Sequence, residues 1–183
     1  MKVFLMSDTH LNHAKIATYC DRPANFTDLI IKRWNERVTW ADTVIHLGDV
    51  AIGPRPLVEN QLRQLAGKKI LVRGNHDRAS SCSWWMDHGF DFACDGLRFR
   101  DCWLTHEPDT SRAGGCELNI HGHLHNIWHG FAPNAGDEKN ATELRHLKNP
   151  WQRLFACEYT NYYPIEFQDF VEHPDKYQAR GPK

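Results

Sequence analysis

No long hydrophobic run occurs in this chain. Nothing approaches the ~20 apolar residues of a membrane span. The N-terminal segment Val3-Phe4-Leu5-Met6 ends at once in Ser-Asp-Thr-His, too short for a signal-peptide core. A soluble, cytoplasmic protein is expected. An excess of charge is lacking too: the formal net charge is −1, so no basic field advertises general binding to duplex nucleic acid. The six cysteines (Cys20, Cys82, Cys94, Cys102, Cys116, Cys157) include no CxxC and no regular spacing. That scatter fits reduced thiols better than a disulfide framework or a zinc knuckle. Neither an internal repeat nor a linker is visible, and 183 residues suit one domain over 1–183 with a sizeable core.

What the chain does have is a dispersed series of short polar segments, each just past an apolar run. They are Asp8-Thr9-His10, Gly48-Asp49, Gly74-Asn75-His76-Asp77, His106 and Gly122-His123-Leu124-His125. Asp, Asn and His are borderline-to-hard donors suited to Mn, Fe, Ni or Zn. Together the segments supply enough ligands for two divalent metal ions, a centre equipped for hydrolysis at phosphorus.

The intervening pattern is α/β. Strands are predicted at Lys2 to Met6, Thr43 to Leu47 and Lys69 to Val72. Between them, Ile30, Trp34 and Val38 form the stripe of a helix over Thr27 to Trp40, and Val58, Leu62 and Leu65 mark a helix ending at Gly67. A further helix is predicted through Trp84, Trp85 and His88. Beyond Gly89 come short candidate strands: Phe90 to Cys94, Leu97 to Arg100, Cys102 to Thr105 and Leu118 to Ile120. Asp95-Gly96 reads as a hairpin turn between the first two. Trp128 to Pro150 reads as a long variable excursion with a short helix around Leu144. Leu154 to Tyr159 reads as a returning strand and Phe167 to Glu172 as a helical turn. Ligands at the carboxyl ends of neighbouring strands converge on one crevice however far apart they lie in sequence. Gly48, Gly74 and Gly122 allow tight backbone beside them.

The series DxH, GD, GNHD, H and GHxH, in that order over residues 8 to 125, resembles the calcineurin-like metallophosphoesterase superfamily. The opening Asp-Thr-His-Leu-Asn-His followed by Arg22-Pro23 is similar to a small single-domain branch found in bacteria and phages. The resemblance implies a four-layer αββα fold with two packed sheets. It implies one metal on Asp8, His10 and His125, a second on Asn75, His106 and His123, and Asp49 bridging both, with manganese favoured. A water shared by the two cations would be the nucleophile, and His76 the general acid or a cationic stabiliser. Asp77 would orient His76 or a ligand. A phosphodiesterase on small or nucleotide phosphodiesters leads, a phosphomonoesterase follows, and an inactive metal-bound scaffold is the reading from another class.

Among flanking residues, Asn12 and His13 are candidate substrate contacts that could equally start a helix, and Arg22 is a candidate phosphate clamp. Arg73 is expected at the surface, His46 packed in the sheet, and His121 beside the ligands or a bystander. Trp84, Trp85, Trp128 and Trp151 are expected in core or rim, any of them able to stack on a base. Leu124 stands where many relatives carry a smaller or hydroxyl residue, which bears on packing but removes no ligand. The oligomeric state is not legible in the sequence.

Overall fold

The computed structural model describes residues 1–112, 115–126 and 150–177. The apolar tetrads read as strands do form them. β1 (Val3–Met6), β2 (Thr43–His46), β3 (Lys68–Val72) and β4 (Phe92–Cys94) run parallel, and β9 (Ile165–Glu166) pairs antiparallel with β1, giving the order β4-β3-β2-β1-β9. The second sheet has the order β5-β6-β7-β8, from β5 (Leu97–Phe99), β6 (Cys102–Thr105), β7 (Leu118–His121) and β8 (Gln152–Leu154). Here β5 pairs antiparallel with β6, and β6, β7 and β8 are parallel. Two mixed sheets with helices make the expected sandwich.

The helices are α1 (Ala14–Tyr19), α2 (Phe26–Arg37), α3 (Arg55–Gln64), α4 (Cys82–Asp87) and α5 (Phe167–Glu172). On α2 the anticipated stripe is buried, with Ile30 and Trp34 fully inside and Val38 just past the helix end. Trp34 keeps its indole N–H satisfied by donating to the Ala66 carbonyl at 2.9 Å, which removes the penalty for burying a donor. One continuous apolar cluster draws side chains from both sheets, including Leu5, Ile45 and Leu71 from the first and Leu104 and Ile120 from the second. The cluster locks the two sheets together face to face. No helix among the described residues is long and apolar enough to cross a membrane.

Three sequence expectations are corrected. Asp95-Gly96 is no hairpin turn: β4 and β5 belong to different sheets, and the antiparallel pair is β5 with β6. The turn between those two holds Arg100 at a left-handed φ of 52°. The returning strand stops at Leu154, and residues 157 to 162 form turns. α2 ends at Arg37, leaving Trp40 exposed. β9 has no counterpart among the predicted strands, and α1 begins just after His13, where a helix start is one of the two sequence readings. The excursion from 128 to 149 and its helix near Leu144 lie outside the described residues.

Register positions the site. Met6 lies opposite His46 and His46 opposite Leu71, so β1, β2 and β3 end level. In the second sheet Thr105 lies opposite His121. The backbone ladder continues past the strands, with the Asp8 N–H donating to the Gly48 carbonyl and the Gly122 N–H to the His106 carbonyl, each at 2.9 Å. Each motif therefore meets its neighbour in space.

Candidate metal centre

At the ends of these strands the backbone adopts conformations that side-chain-bearing residues rarely hold. Asp8 (φ 52°), His10 (φ 44°), Asp49 (φ 56°), His123 (φ 71°) and His125 (φ 50°) are all left-handed. Each such residue costs on the order of 1–3 kcal/mol and persists only where its surroundings over-determine it. Glycine makes the close approach possible. Gly48 has φ +96°, and a Cβ there would stand 2.5 Å from the Gly74 nitrogen and 2.7 Å from His106 Nδ1. At Gly122 a Cβ would overlap Ser7 Oγ and Asp8 Oδ2.

The result is one continuous set of donor atoms. Asp49 Oδ2 lies 3.3 Å from His10 Nε2 and 3.4 Å from His106 Nε2, midway between two groups. On one side Asp8 Oδ1 stands 4.0 Å from His10 Nε2 and 3.6 Å from His125 Nε2. On the other, Asn75 Oδ1 is 3.0 Å from His106 Nε2 and 3.1 Å from His123 Nδ1. In Asp8/His10/His125, and likewise in Asp49/His106/His123, the ligand atoms lie within 4.8 Å of one another. His10 Nε2 is buried without a hydrogen bond, an arrangement that is costly unless a cation accepts its lone pair. The residues fit two borderline cations.

Neighbouring groups fix how these donors point. The His106 Nδ1–H donates to the Leu47 carbonyl at 2.8 Å, leaving Nε2 as the free lone pair. Asp49 Oδ1 accepts the His76 backbone N–H at 3.0 Å, which turns Oδ2 toward the histidines. The Asp8 carboxylate accepts from the His123 N–H and the Ser7 hydroxyl. His46 is buried as expected: its Nδ1 accepts the Gly48 N–H at 3.1 Å, so Nε2–H donates to Thr9 Oγ1 at 3.0 Å. Burial first, then His106, lowers its pKa to about 3, so it stays neutral in that tautomer. His121 is buried at the end of β7. Leu124 packs with Leu154 and Ala156 under the site.

Several flanking residues are placed otherwise than the sequence suggested. Of the two partners expected for Asp77, its carboxylate meets the candidate ligand Asp49 through that residue's backbone and not the His76 ring. Its buried carboxylate accepts the N–H groups of Asp49 (2.7 Å), Val50 (3.0 Å) and Gly74 (2.8 Å), so it holds two motifs together by their backbones. Burial raises its pKa. Asn12 is engaged in a reciprocal amide pair with Gln61 at 2.7 and 2.8 Å. Arg22 is no open phosphate clamp. It is buried, donates to the carbonyls of Thr9 (2.9 Å) and Asp8 (2.8 Å), and pairs with Glu158 at 2.5 Å. Arg73 is spent on a bidentate bond to Asp95, at 2.8 and 2.9 Å from one guanidinium nitrogen. His13 precedes α1 without capping it, and its ring sits 5.2 Å from that of His10 and 5.7 Å from that of His76. His76 is the open member, 41% exposed, with Nε2 3.9 Å from Asp49 Oδ2.

Glu158 is the functional-site residue that the sequence reading missed. Its Oε1 meets His125 Nδ1 at 3.2 Å as well as Arg22, so Nε2 of His125 is directed at Asp8. No spacing announces it: an acid between Cys157 and Tyr159 in a turn region has no motif.

Charge balance marks the centre as a cation trap. Burial opposes ionisation of Asp49, but His106 and His10 beside it hold its carboxyl well below the usual carboxylate range. Burial pulls His106 down, yet Asp49 and Asp8 raise it to about 9. His125 is likewise lifted well above the ordinary histidine range, against burial, by Asp8 and Glu158. Protons hold these positions in the metal-free protein, where a divalent cation would replace them.

Comparison with known proteins agrees with this geometry. Residues 1–140 match the family model of the calcineurin-like phosphoesterase superfamily domain. The chain belongs to that superfamily. It is 35% identical over 135 residues to an uncharacterised protein of Methanocaldococcus jannaschii, covering 68% of this chain and 69% of that one. It is 38% identical over 80 residues to the gene 66 protein of Mycobacterium phage D29, covering 42% and 40% of the two chains. A crystal structure of a protein of unknown function from Aquifex aeolicus superposes with a TM-score of 0.67 at 22% identity, covering 93% of this chain and 98% of that one, which shows a shared fold. The family is one of metal-dependent phosphoesterases.

Proposed function

We propose that this superfamily member is a dinuclear-metal phosphodiesterase acting on small or nucleotide phosphodiesters. Asp8, His10 and His125 hold one cation, Asn75, His106 and His123 the other, and Asp49 stands between. Two divalent cations, when bound, supply Lewis acidity toward the phosphoryl oxygens and a water acidic enough to attack near neutral pH. Manganese is favoured for this mixed carboxylate, amide and imidazole set. His76, the open side chain beside Asp49, protonates the departing ester oxygen or stabilises its charge. Asp77 and His46 keep the ligand loops in register. His13 meets substrate from the rim; Asn12 and Arg22 act through the backbone and side chains they hold. Cysteines scattered without a CxxC or regular spacing support a cytoplasmic, reducing location.

One observation carries the choice of diester. A monoester dianion needs cations for its extra charge, and the two arginines that flank the motifs as candidate phosphate contacts are both spent, Arg22 on Glu158 and Arg73 on Asp95. A singly charged diester makes no such demand. The test is parallel hydrolysis of bis(p-nitrophenyl) phosphate and p-nitrophenyl phosphate by stripped protein reloaded with Mn²⁺, Ni²⁺ or Zn²⁺. Faster diester turnover that vanishes in Asp49→Asn is expected. Faster monoester turnover overturns the diester assignment, and no turnover with two metals bound favours the scaffold.

A further inference from the structure

Next to the metal centre lies a second concavity of about 350 Å³, whose wall includes Ile52, Val58, Arg55, Trp84 and Trp85, and which shares His76 with the centre. That volume falls at the lower end of small-molecule sites. Two features give it a chemical character. The guanidinium carbon of Arg55 lies 5.1 Å from the Trp84 ring centroid, and this exposed arginine makes no ion pair or hydrogen bond among the described residues. Trp84 is itself braced, its ring stacked on His88 at 4.3 Å and 15°. The floor is tied to the catalytic turn, because the Trp85 indole N–H donates to the Asp77 carbonyl at 3.0 Å.

We propose that this cavity is a nucleobase subsite, which rests on the phosphodiesterase reading above and narrows its substrate to nucleotide diesters. A planar, weakly hydrated guanidinium held over an indole offers a flat cationic surface with its N–H groups unspent. Such a surface suits a heteroaromatic ring, which can stack on it and present acceptor edges to it. A compact point anion needs neither the apolar walls nor the flat support. Since His76 belongs to both spaces, a phosphorus at the metal centre places its ester substituent at the mouth of this cavity. Among the described tryptophans, Trp84 is thus the one that backs a stacking surface, the Arg55 guanidinium.

The test compares adenosine 2′,3′-cyclic phosphate with glycerol 1,2-cyclic phosphate, which has the same reacting ring and no base. The parent should favour the nucleotide in kcat/KM. Arg55→Ala should shrink that preference by about 5- to 150-fold, the range for losing one stacked base, mostly through KM. Arg55 is exposed, so its removal threatens no core packing. Arg55→Lys keeps the charge without the plane and should lose most of the preference as well. Equilibrium binding of adenosine monophosphate against ribose 5-phosphate, by calorimetry on the metal-loaded protein, reads the same preference without catalysis. Base-selective binding with neither diester hydrolysed supports the cavity and sinks the diesterase reading. Hydrolysis of both diesters without base preference overturns the subsite and keeps that reading. Full preference in Arg55→Lys, or a loss in Arg55→Ala confined to p-nitrophenyl phosphate, makes Arg55 a charge clamp and also overturns it.

Discussion

Glu158→Gln is the most informative single change, because it separates what holds the fold from what aims a ligand. The Arg22 and Glu158 side chains are 0% and 5% exposed, so solvent screens their interaction little. Taking the charge from one partner of a buried pair leaves the other uncompensated, a loss of about 3–5 kcal/mol. Urea denaturation of the metal-free variant should show that loss as a lowered midpoint. A second effect is expected at the metal centre, since Glu158 directs His125. Removing a carboxylate behind a histidine ligand weakens metal binding by roughly 10–100-fold, read by competition with a chromophoric chelator. It should fall on the Asp8/His10/His125 ligands and spare the others. The double variant Arg22→Met with Glu158→Leu removes the stranded charge but also the two hydrogen bonds Arg22 donates to backbone, so its net gain over Glu158→Gln should be small. It should still sit about 1–3 kcal/mol per orphaned group below the parent, because Arg22 also caps the carbonyls of Asp8 and Thr9. Its metal affinity should stay low. A Glu158→Gln protein with the parent's midpoint and both metal affinities intact would refute this account of the buried network.

His76→Ala should lower kcat by about 10²–10⁴-fold with both metals retained, as measured by steady-state kinetics alongside elemental analysis. Asp49→Asn should reduce the bound metal as well as turnover, because its carboxylate faces both groups of donors, and elemental analysis reads that difference. In the metal-free protein His106 lies at about 9, above the unfolded histidine value of ~6.5. Its contribution to stability is therefore complete below ~6.5 and lost as pH rises through 9. Over that same window metal affinity should strengthen, up to ~tenfold per pH unit for each proton displaced, and melting curves with and without metal from pH 6 to 9.5 test both trends. Gly48→Ala, at φ +96° and against Gly74 and His106, should cost ~3 kcal/mol or more by chemical denaturation.

The convergence of the candidate ligands was legible because their segments follow short, largely apolar runs that read as buried strands, and parallel strands with level ends bring their following residues together. Met6, His46 and Leu71 in register is the structural form of that rule. What stayed illegible depends on partners supplied from far along the chain. Arg22 looks like a solvated loop arginine until Glu158 arrives 136 residues later. Asn12 looks like a substrate contact until Gln61 closes on its amide 49 residues on. Asp77 sits in the right motif but turns inward, because three converging N–H groups outcompete one imidazole for its oxygens. The Asp95-Gly96 dipeptide has hairpin chemistry, yet local turn preference does not determine which sheet each flanking strand joins.

The left-handed conformations carry this one step further. Five of the residues proposed as ligands sit at positive φ, where glycine would be cheaper by backbone energy alone. Glycine has no donor, so strain is the consequence of requiring a side chain at a turn this tight. Holding that strain requires partners on both sides. Asp77 supplies them at Asp49, Arg22 at the Asp8 carbonyl, and Asp8 in turn at His123. The buried polar network is thus the counterpart of the strained loops. It follows that weakening Asp77 or Glu158 should relax ligand geometry before it unfolds the sheets, whose apolar core does not run through either residue.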